Sequence, residues 1–310
     1  MEHLPSPQQL RYLLALSELQ HFGRAAEACA VTQSTLSAGI LALERQLDAR
    51  ILDRAAGRQV VFTPLGRELV GRAGAAMAAL SALADAASAA REPMSGPLRL
   101  GVIPTVGPFI LPKLMPALRR EFPDLRLYLR EDVTDQLVNR LEQGRLDVLL
   151  LALPCECGDA GTLQVARDEF VAALPPGHPL SRRERVPVQA LATERLLLLE
   201  EGHCLRDQAL AVCGMAARAE RPGEDGFAAT SLHTLVQMVA GGLGVTLLPQ
   251  IAVDAGIAAG TGIELRPLGG AGAWRTLALA WRPHSPRLEA FRALGDILRG
   301  QGGSAPIAPG

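Results

Sequence analysis

The side chains in this sequence with the most reactive chemistry are five cysteines, Cys29, Cys155, Cys157, Cys204 and Cys213. An odd number of them, in a long chain whose opening MEHLPSPQQL lacks a basic head and an apolar core, argues against a secreted disulfide framework. A cytoplasmic location is expected instead. Thiols are kept reduced there, so any pair in use would be metal-binding, catalytic or redox-active.

Cys204 has the most suggestive surroundings, Glu200-Glu201-Gly202-His203-Cys204-Leu205-Arg206-Asp207. The apolar run RLLLLE before it reads as a strand and the pattern after it as a helix. The thiol would then sit at the positive end of a helix dipole. His203 and Arg206 add donors, whereas Glu200, Glu201 and Asp207 oppose thiolate formation unless they are turned away or paired. Since the thiolate is the nucleophile, this balance of charge governs reactivity. Cys29, on the apolar side of a short helical segment, reads as a packing residue. Cys155 and Cys157 flank Glu156 in a loop after LDVLLLALP. A C-x-C alone does not define a metal site, and neither a metal nor a cofactor is expected.

The elements that would position these residues fall into two blocks. Residues 7–19 read as a first helix carrying Leu10, Leu13, Leu14 and Leu16, and residues 23–29 as a second. After the turn ACAVTQ, Thr32 can cap a third helix with Leu36, Ile40, Leu43 and Leu47 along one face. Its other face begins with Gln33, Ser34, Thr35 and Ser37, small polar groups suited to phosphates and base edges. Such a pair of short helices suggests a helix-turn-helix. Ile51-Leu52 and Val60-Val61-Phe62 would close a small hairpin, a wing whose Arg54 and Arg58 could touch phosphates.

Thr63-Pro64 opens a long helix with an apolar seam through Leu69, Ala73, Ala76, Leu80, Leu83, Ala87 and Ala90, which suggests a dimer contact. The domain reading is a winged head at 1–62, a dimerisation helix at 63–92, a hinge at 93–97, a regulatory domain at 98–301 and a tail at 302–310. From Leu98 onward, strand candidates alternate with amphipathic helices at 108–122, 134–143, 231–241 and 286–299. This is the α/β class with mainly parallel strands and two subdomains around a cleft.

Composition limits these readings without choosing among them. The 310 residues are 48% hydrophobic and 20% charged, with a formal net charge of -1. Six arginines in residues 1–66 are matched by six acidic residues. Affinity for nucleic acid must therefore come from the placement of arginines and from oligomerisation. No apolar stretch approaches the roughly 20 residues that span a bilayer, so no membrane partner is expected.

The head resembles the LysR-type winged helix-turn-helix along HFGRAAEACAVTQSTLSAGILALERQLDARILDR. The resemblance extends along the chain through IPTVGP, EFPDLRLYL, LEEGHCLRDQA, ATSLHTL and GVTLLP. With Cys213 nine residues after Cys204, these segments are similar to the peroxide-responsive OxyR branch of that family. The resemblance implies a periplasmic-binding-protein-like regulatory domain, promoter DNA as partner, and a homodimer or dimer-of-dimers tetramer working with RNA polymerase. It further implies a reversible Cys204–Cys213 disulfide, reset by a glutathione- or thioredoxin-type reductant. Thr105, Thr134 and His203 would hold peroxide, Asp207 would assist proton movement, and Arg282 would stabilise the thiolate.

If residues 205–213 are helical, the two cysteines lie roughly 13 Å apart, so bonding requires that helix to unwind. For Thr134, a plain helix cap remains the alternative reading. The sequence departs from the family at Ser34, where Pro is common, and at Gly39, where OxyR-like chains have Gln. Nearby basic positions hold Leu41 and Ala42, and Gly39 would remove a base-reading side chain. Two other functional readings are a metabolite-responsive LysR-type regulator with incidental cysteines and a thiol peroxidase. Residues 7–62 argue against the enzyme.

Overall fold

The structure, a computed structural model, describes residues 4–53, 60–89, 94–214, 228–269 and 273–301. The chain divides into two units, Met1–Arg91 with Arg140–Arg145, and Glu92–Asn139 with Leu146–Gly310.

In the head, helix α1 (Pro7–Leu19) starts from a capping box in which Ser6 and Gln9 satisfy each other's backbone N–H. Helix α2 (Phe22–Ala28) is capped by His21, and α3 (Gln33–Gln46) by Thr32. Tyr12, Leu13, Leu16, Leu36, Ile40 and Leu43 form their common core. Leu47, expected on the same stripe, caps the C-terminus of α3 and stays 36% exposed. An antiparallel bridge between Leu52 and Phe62 forms the base of the expected wing, whose residues 54–59 lie outside the described ones.

Helix α4 (Pro64–Ala89) divides the predicted seam. Leu69 and Ala73 are used within the head, packed on its core. Ala76, Leu80 and Leu83 are exposed, the last by 72%. Ala76, Leu80 and Leu83 are thus the described seam residues that the head core does not cover. Of the remaining seam residues, the side chain of Ala87 and all of Ala90 lie outside the described residues.

The second unit runs β1 (Gly96–Val102), α5 (Gly107–Glu121), β2 (Leu125–Glu131), α6 (Thr134–Glu142), β3 (Val148–Leu153) and β4 (Gly161–Leu174). It continues with β5 (Val186–Pro187), α7 (Val188–Leu191), β6 (Leu198–Leu199), α8 (Cys204–Val212), β7 (Ala228–Ala229) and α9 (Leu232–Ala240). It ends with β8 (Thr246–Pro249), α10 (Gln250–Asp254), β9 (Glu264–Gly269), β10 (Trp274–Trp281) and α11 (Leu288–Gln301). The strand order is β2-β1-β3-β10-β4-β9-β5, with β8 also on β4 and β6-β7 as a separate pair.

The expected parallel character holds for β1 with β2 and β3, β5 with β9, and β6 with β7. It fails elsewhere, because β10 and β4 run antiparallel to all their neighbours. The long strand β4 has no counterpart in the sequence reading. Its alternation is interrupted by Arg167, Asp168 and Glu169, where it leaves β10 for β8 and β9. The hinge expected at 93–97 ends earlier, since β1 already pairs with β2 from Gly96.

Candidate functional site

The site is built around the first turn of α8. Gly202 adopts a left-handed φ of 89°, which turns the chain from β6 toward that helix. The nearest atoms to a side chain there would be those of Val133, 3.7 Å away. His203 is the extended N-cap, Cys204 the first helical residue and Cys213 the C-cap. Both cysteines are free thiols, Cys204 half-buried and Cys213 buried. They stand at opposite ends of one intact helix, roughly 13 Å apart at 1.5 Å per residue.

Thr134 meets Cys204 directly, with Oγ1 and Sγ sharing a hydrogen bond of 2.6 Å. Helix α6 begins at Thr134 itself, and the buried hydroxyl is engaged by sulfur. Behind this pair lies a cation that the sequence reading missed. Arg275 on β10 is in register with Asp168 on β4, and both side chains are completely buried. Arg275 Nε donates to Asp168 Oδ2 (2.8 Å), Nη1 to Thr105 Oγ1 (2.9 Å) and Nη2 to the Thr105 carbonyl (2.9 Å). Asp168 Oδ1 also accepts from the Ile251 N–H at 3.0 Å. A buried guanidinium anchored by three hydrogen bonds is held in place, and its field acts through a medium of low dielectric.

Burial pushes the Cys204 thiol above its ordinary value. The Thr134 hydroxyl, the Cys204 backbone N–H and the Arg275 charge pull it down, and Asp207 adds to the rise. The sequence left this balance open, because it shows the charges around Cys204 but not which of them face it; in the fold, desolvation of the half-buried sulfur outweighs the donors. His203 is held below the usual imidazole range by burial, against the pull of Glu200. Its ring is thus a neutral donor and acceptor near pH 7. Burial also pushes the Cys213 thiol up to about 11.

The other expected residues are placed differently. Arg206 Nη1 donates to the Leu199 carbonyl at 3.2 Å, tying α8 back to β6. Arg282, expected on the thiolate, instead donates through Nη1 to the Leu146 carbonyl at 2.7 Å. Seven residues of extended strand, about 23 Å, separate the position of Arg282 from that of Arg275, so the two cannot serve one site. An arginine in the apolar strand WRTLALAW was the signal that could have identified Arg275, since a buried charge requires a partner. Cys155 and Cys157, whose C-x-C spacing alone assigned them no role, are bonded to each other with Cα atoms 5.4 Å apart. Cys29 packs against the head core as expected. Among the described residues, no three His, Cys, Asp or Glu side chains gather as a metal site.

On the head, Thr32, Gln33, Ser34 and Thr35 are exposed at the N-terminus of α3, and Ser37 is half-exposed. Thr32 Oγ1 accepts from the Thr35 N–H (3.2 Å) and shares hydrogen bonds with Ser34 Oγ (2.9 Å) and Thr35 Oγ1 (2.8 Å). Arg54 and Arg58 lie outside the described residues. Gly39 requires a correction. A Cβ there would lie 2.6 Å from the ring of Tyr12, so the position faces the head's own core and not a groove of DNA. Glycine permits close packing of α3 on α1 at that point.

Residues 7–67 match the bacterial regulatory helix-turn-helix protein, lysR family, and residues 91–303 match the LysR substrate binding domain. The chain is 42% identical over 295 residues to the DNA-binding transcriptional dual regulator OxyR of Escherichia coli, covering 94% of this chain and 93% of the relative. It is 42% identical over 290 residues to a hydrogen peroxide-inducible genes activator of Pectobacterium carotovorum, covering 94% of each. Among solved structures, a full-length Pseudomonas aeruginosa OxyR with a cysteine-to-aspartate change aligns with TM-score 0.77 and 37% identity, covering 96% of this chain and 95% of that one. A hydrogen peroxide-bound cysteine mutant of Corynebacterium glutamicum OxyR aligns with TM-score 0.65 and 32% identity, covering 97% and 94%.

The chain belongs to the LysR family of bacterial transcriptional regulators. It is a peroxide-sensing, DNA-binding regulator of the OxyR type and not an enzyme. Regulators of this family bind promoter DNA and oligomerise. Among the described residues, no helix is long and apolar enough to cross a membrane.

Proposed function

We propose that Cys204 is the thiol that reacts with hydrogen peroxide and that Cys213 resolves the product into a disulfide. The observation carrying this reading is that Thr134 and the Arg275 charge both favour the thiolate of a cysteine heading a helix whose other end holds Cys213. The Cys204 thiolate attacks one peroxide oxygen. The O–O bond breaks, sulfenic acid forms, and hydroxide leaves as water after taking a proton. The Cys213 sulfur then attacks the sulfenic sulfur, and a second water leaves. Thr134, Thr105 and neutral His203 supply hydroxyl and imidazole groups able to donate to and accept from peroxide. Exposed Asp207 is the carboxylate that could take up the proton.

A disulfide requires Cα atoms within about 7 Å, so α8 must unwind, and that local change biases the regulatory domain. The heads would then meet promoter DNA through Thr32, Gln33, Ser34, Thr35, Ser37, Arg54 and Arg58. Exposed Leu80 and Leu83 support pairing of two α4 helices, with a tetramer as a dimer of dimers. RNA polymerase, a glutathione- or thioredoxin-type reductant and the cytoplasm complete the proposal. The test is thiol mapping after about one equivalent of peroxide is added to protein reduced at Cys204 and Cys213. A Cys204–Cys213 peptide pair appearing first supports the reading; a persistent Cys204 thiol refutes it and favours a metabolite-responsive regulator.

A further inference from the structure

We propose that Cys155 and Cys157 are a second redox couple, exchanging with low-molecular-weight thiols and disulfides of the glutathione type, whose state sets how firmly α8 is held. The proposal rests on the reading of α8 as the element that unwinds.

The two sulfurs are bonded across a single intervening residue, and their Cα spacing of 5.4 Å lies inside the range that disulfides adopt. Both cysteines are half-exposed, and Pro154, Glu156, Gly158 and Asp159 around them are exposed, so the sulfurs are open to a small thiol. Closure is intramolecular and local, which gives the second thiol a high effective concentration. The loop's own charged residues, Glu156 and Asp159, are carboxylates, in contrast to the hydroxyl and guanidinium at Cys204. Peroxide chemistry is therefore favoured at Cys204 over the C-x-C loop, where the exposed sulfurs leave exchange with small thiols as the open reaction.

The link to the sensor helix is Gln208. Its Nε2 donates to the carbonyl of Leu153 at 3.4 Å, two residues before Cys155. Its Oε1 is buried without a hydrogen-bond partner among the described residues. The amide thus holds α8 to the end of β3 through one long bond, with its other half unsatisfied, which makes a weak latch. A closed C-x-C loop fixes the chain just beyond Leu153. Opening it frees that chain, loosens the latch and lets α8 unwind more readily.

In exchange, one cysteine thiolate attacks a glutathione-type disulfide and releases one thiol, leaving a mixed disulfide. The second cysteine attacks the protein sulfur of that mixed disulfide and releases the second thiol. The net change is two protein thiols plus one small disulfide giving one protein disulfide plus two small thiols; reduction is the reverse.

The experiment uses the full chain with Cys204 and Cys213 reduced, equilibrated against a series of reduced-to-oxidised glutathione ratios, then alkylated and mapped by mass. The Cys155–Cys157 disulfide should follow the ratio reversibly, and equally in C204S. A pair that stays closed, or stays open, at every ratio overturns the proposal. After removal of glutathione, one equivalent of peroxide is added to protein preset in each state. Cys204–Cys213 should form about 2- to 10-fold faster with the loop open, the range expected from loss of one neutral hydrogen bond. Q208A should abolish the difference between states. Equal, measurable rates in the two states of the unmodified protein overturn the coupling alone. No Cys204–Cys213 bond in either state overturns α8 as the switch and the coupling with it.

Discussion

Thr134 Oγ1 and Cys204 Sγ share a hydrogen bond of 2.6 Å although 70 residues separate them in the chain. The hydroxyl belongs to the start of α6 and the thiol to the start of α8. Only the thiolate gains fully from a donating hydroxyl, because a hydrogen bond to a charged group is worth more than a neutral one. T134V, which keeps the shape and removes the donor, should slow oxidation of Cys204 about 10-fold or more. Stopped-flow peroxide kinetics measures this, and an unchanged rate would exclude the hydroxyl from the reaction.

Arg275 and Asp168 separate stability from reactivity. R275M leaves the Asp168 carboxylate buried without its cation and should lower stability by about 3–5 kcal/mol. R275M/D168N removes both charges and keeps an acceptor for the Ile251 N–H, so most of that stability should return. The oxidation rate should not return with it, because the cation favouring the thiolate is still missing. Chemical denaturation read beside peroxide kinetics checks both halves, and a double variant with the native rate would sink the assignment.

The pH dependence of oxidation follows from burial. With the Cys204 thiol held above its ordinary 9.0, the thiolate is a minor species near neutrality and grows as pH rises. The rate should increase by close to 10-fold per pH unit between pH 7 and 8.5. A rate that levels off below pH 8 would show that the donors outweigh burial.

Cys213 gives a prediction of opposite use, on stability. Folded Cys213 keeps its proton up to about 11, whereas an unfolded thiol releases it near 9.0. The unfolded state then binds fewer protons over that interval, so stability is complete below pH 9 and declines as pH rises toward 11. The loss is on the order of 2 kcal/mol. Urea denaturation at pH 8 and pH 10 should show it, and C213A should reduce the difference; equal slopes in the two proteins would refute the cause.

Gly39 is a packing residue in this head, which reverses the expectation of a lost base contact. G39Q should force the Tyr12 ring aside and lower the thermal midpoint, since overpacking costs about 1–3 kcal/mol against a helix-propensity gain of at most about 1. Y12A is itself destabilising, because Tyr12 is a core residue, but G39Q should cost less in a Y12A background than in the parent. A G39Q protein as stable as the parent would show that the ring yields freely.

What could be read from the chain alone was local. The 3.6-residue periodicity and capping residues located α1, α3, α8 and α9 closely, and with them a helix that carries a cysteine at each end. Such features depend on neighbours within four residues, which sequence displays directly. Tertiary structure alone decided the partners. It brought Thr134 to Cys204, chose Arg275 over Arg282, turned Gly39 toward Tyr12 and split the α4 seam between the head core and solvent. Each depends on which strands become adjacent and which faces become covered, and packing settles that between segments far apart in the chain. For the same reason the neighbours of Cys204 in sequence left the sign of its shift open and the fold decided it: the charges were visible in the chain, but the desolvation that outweighs them was not.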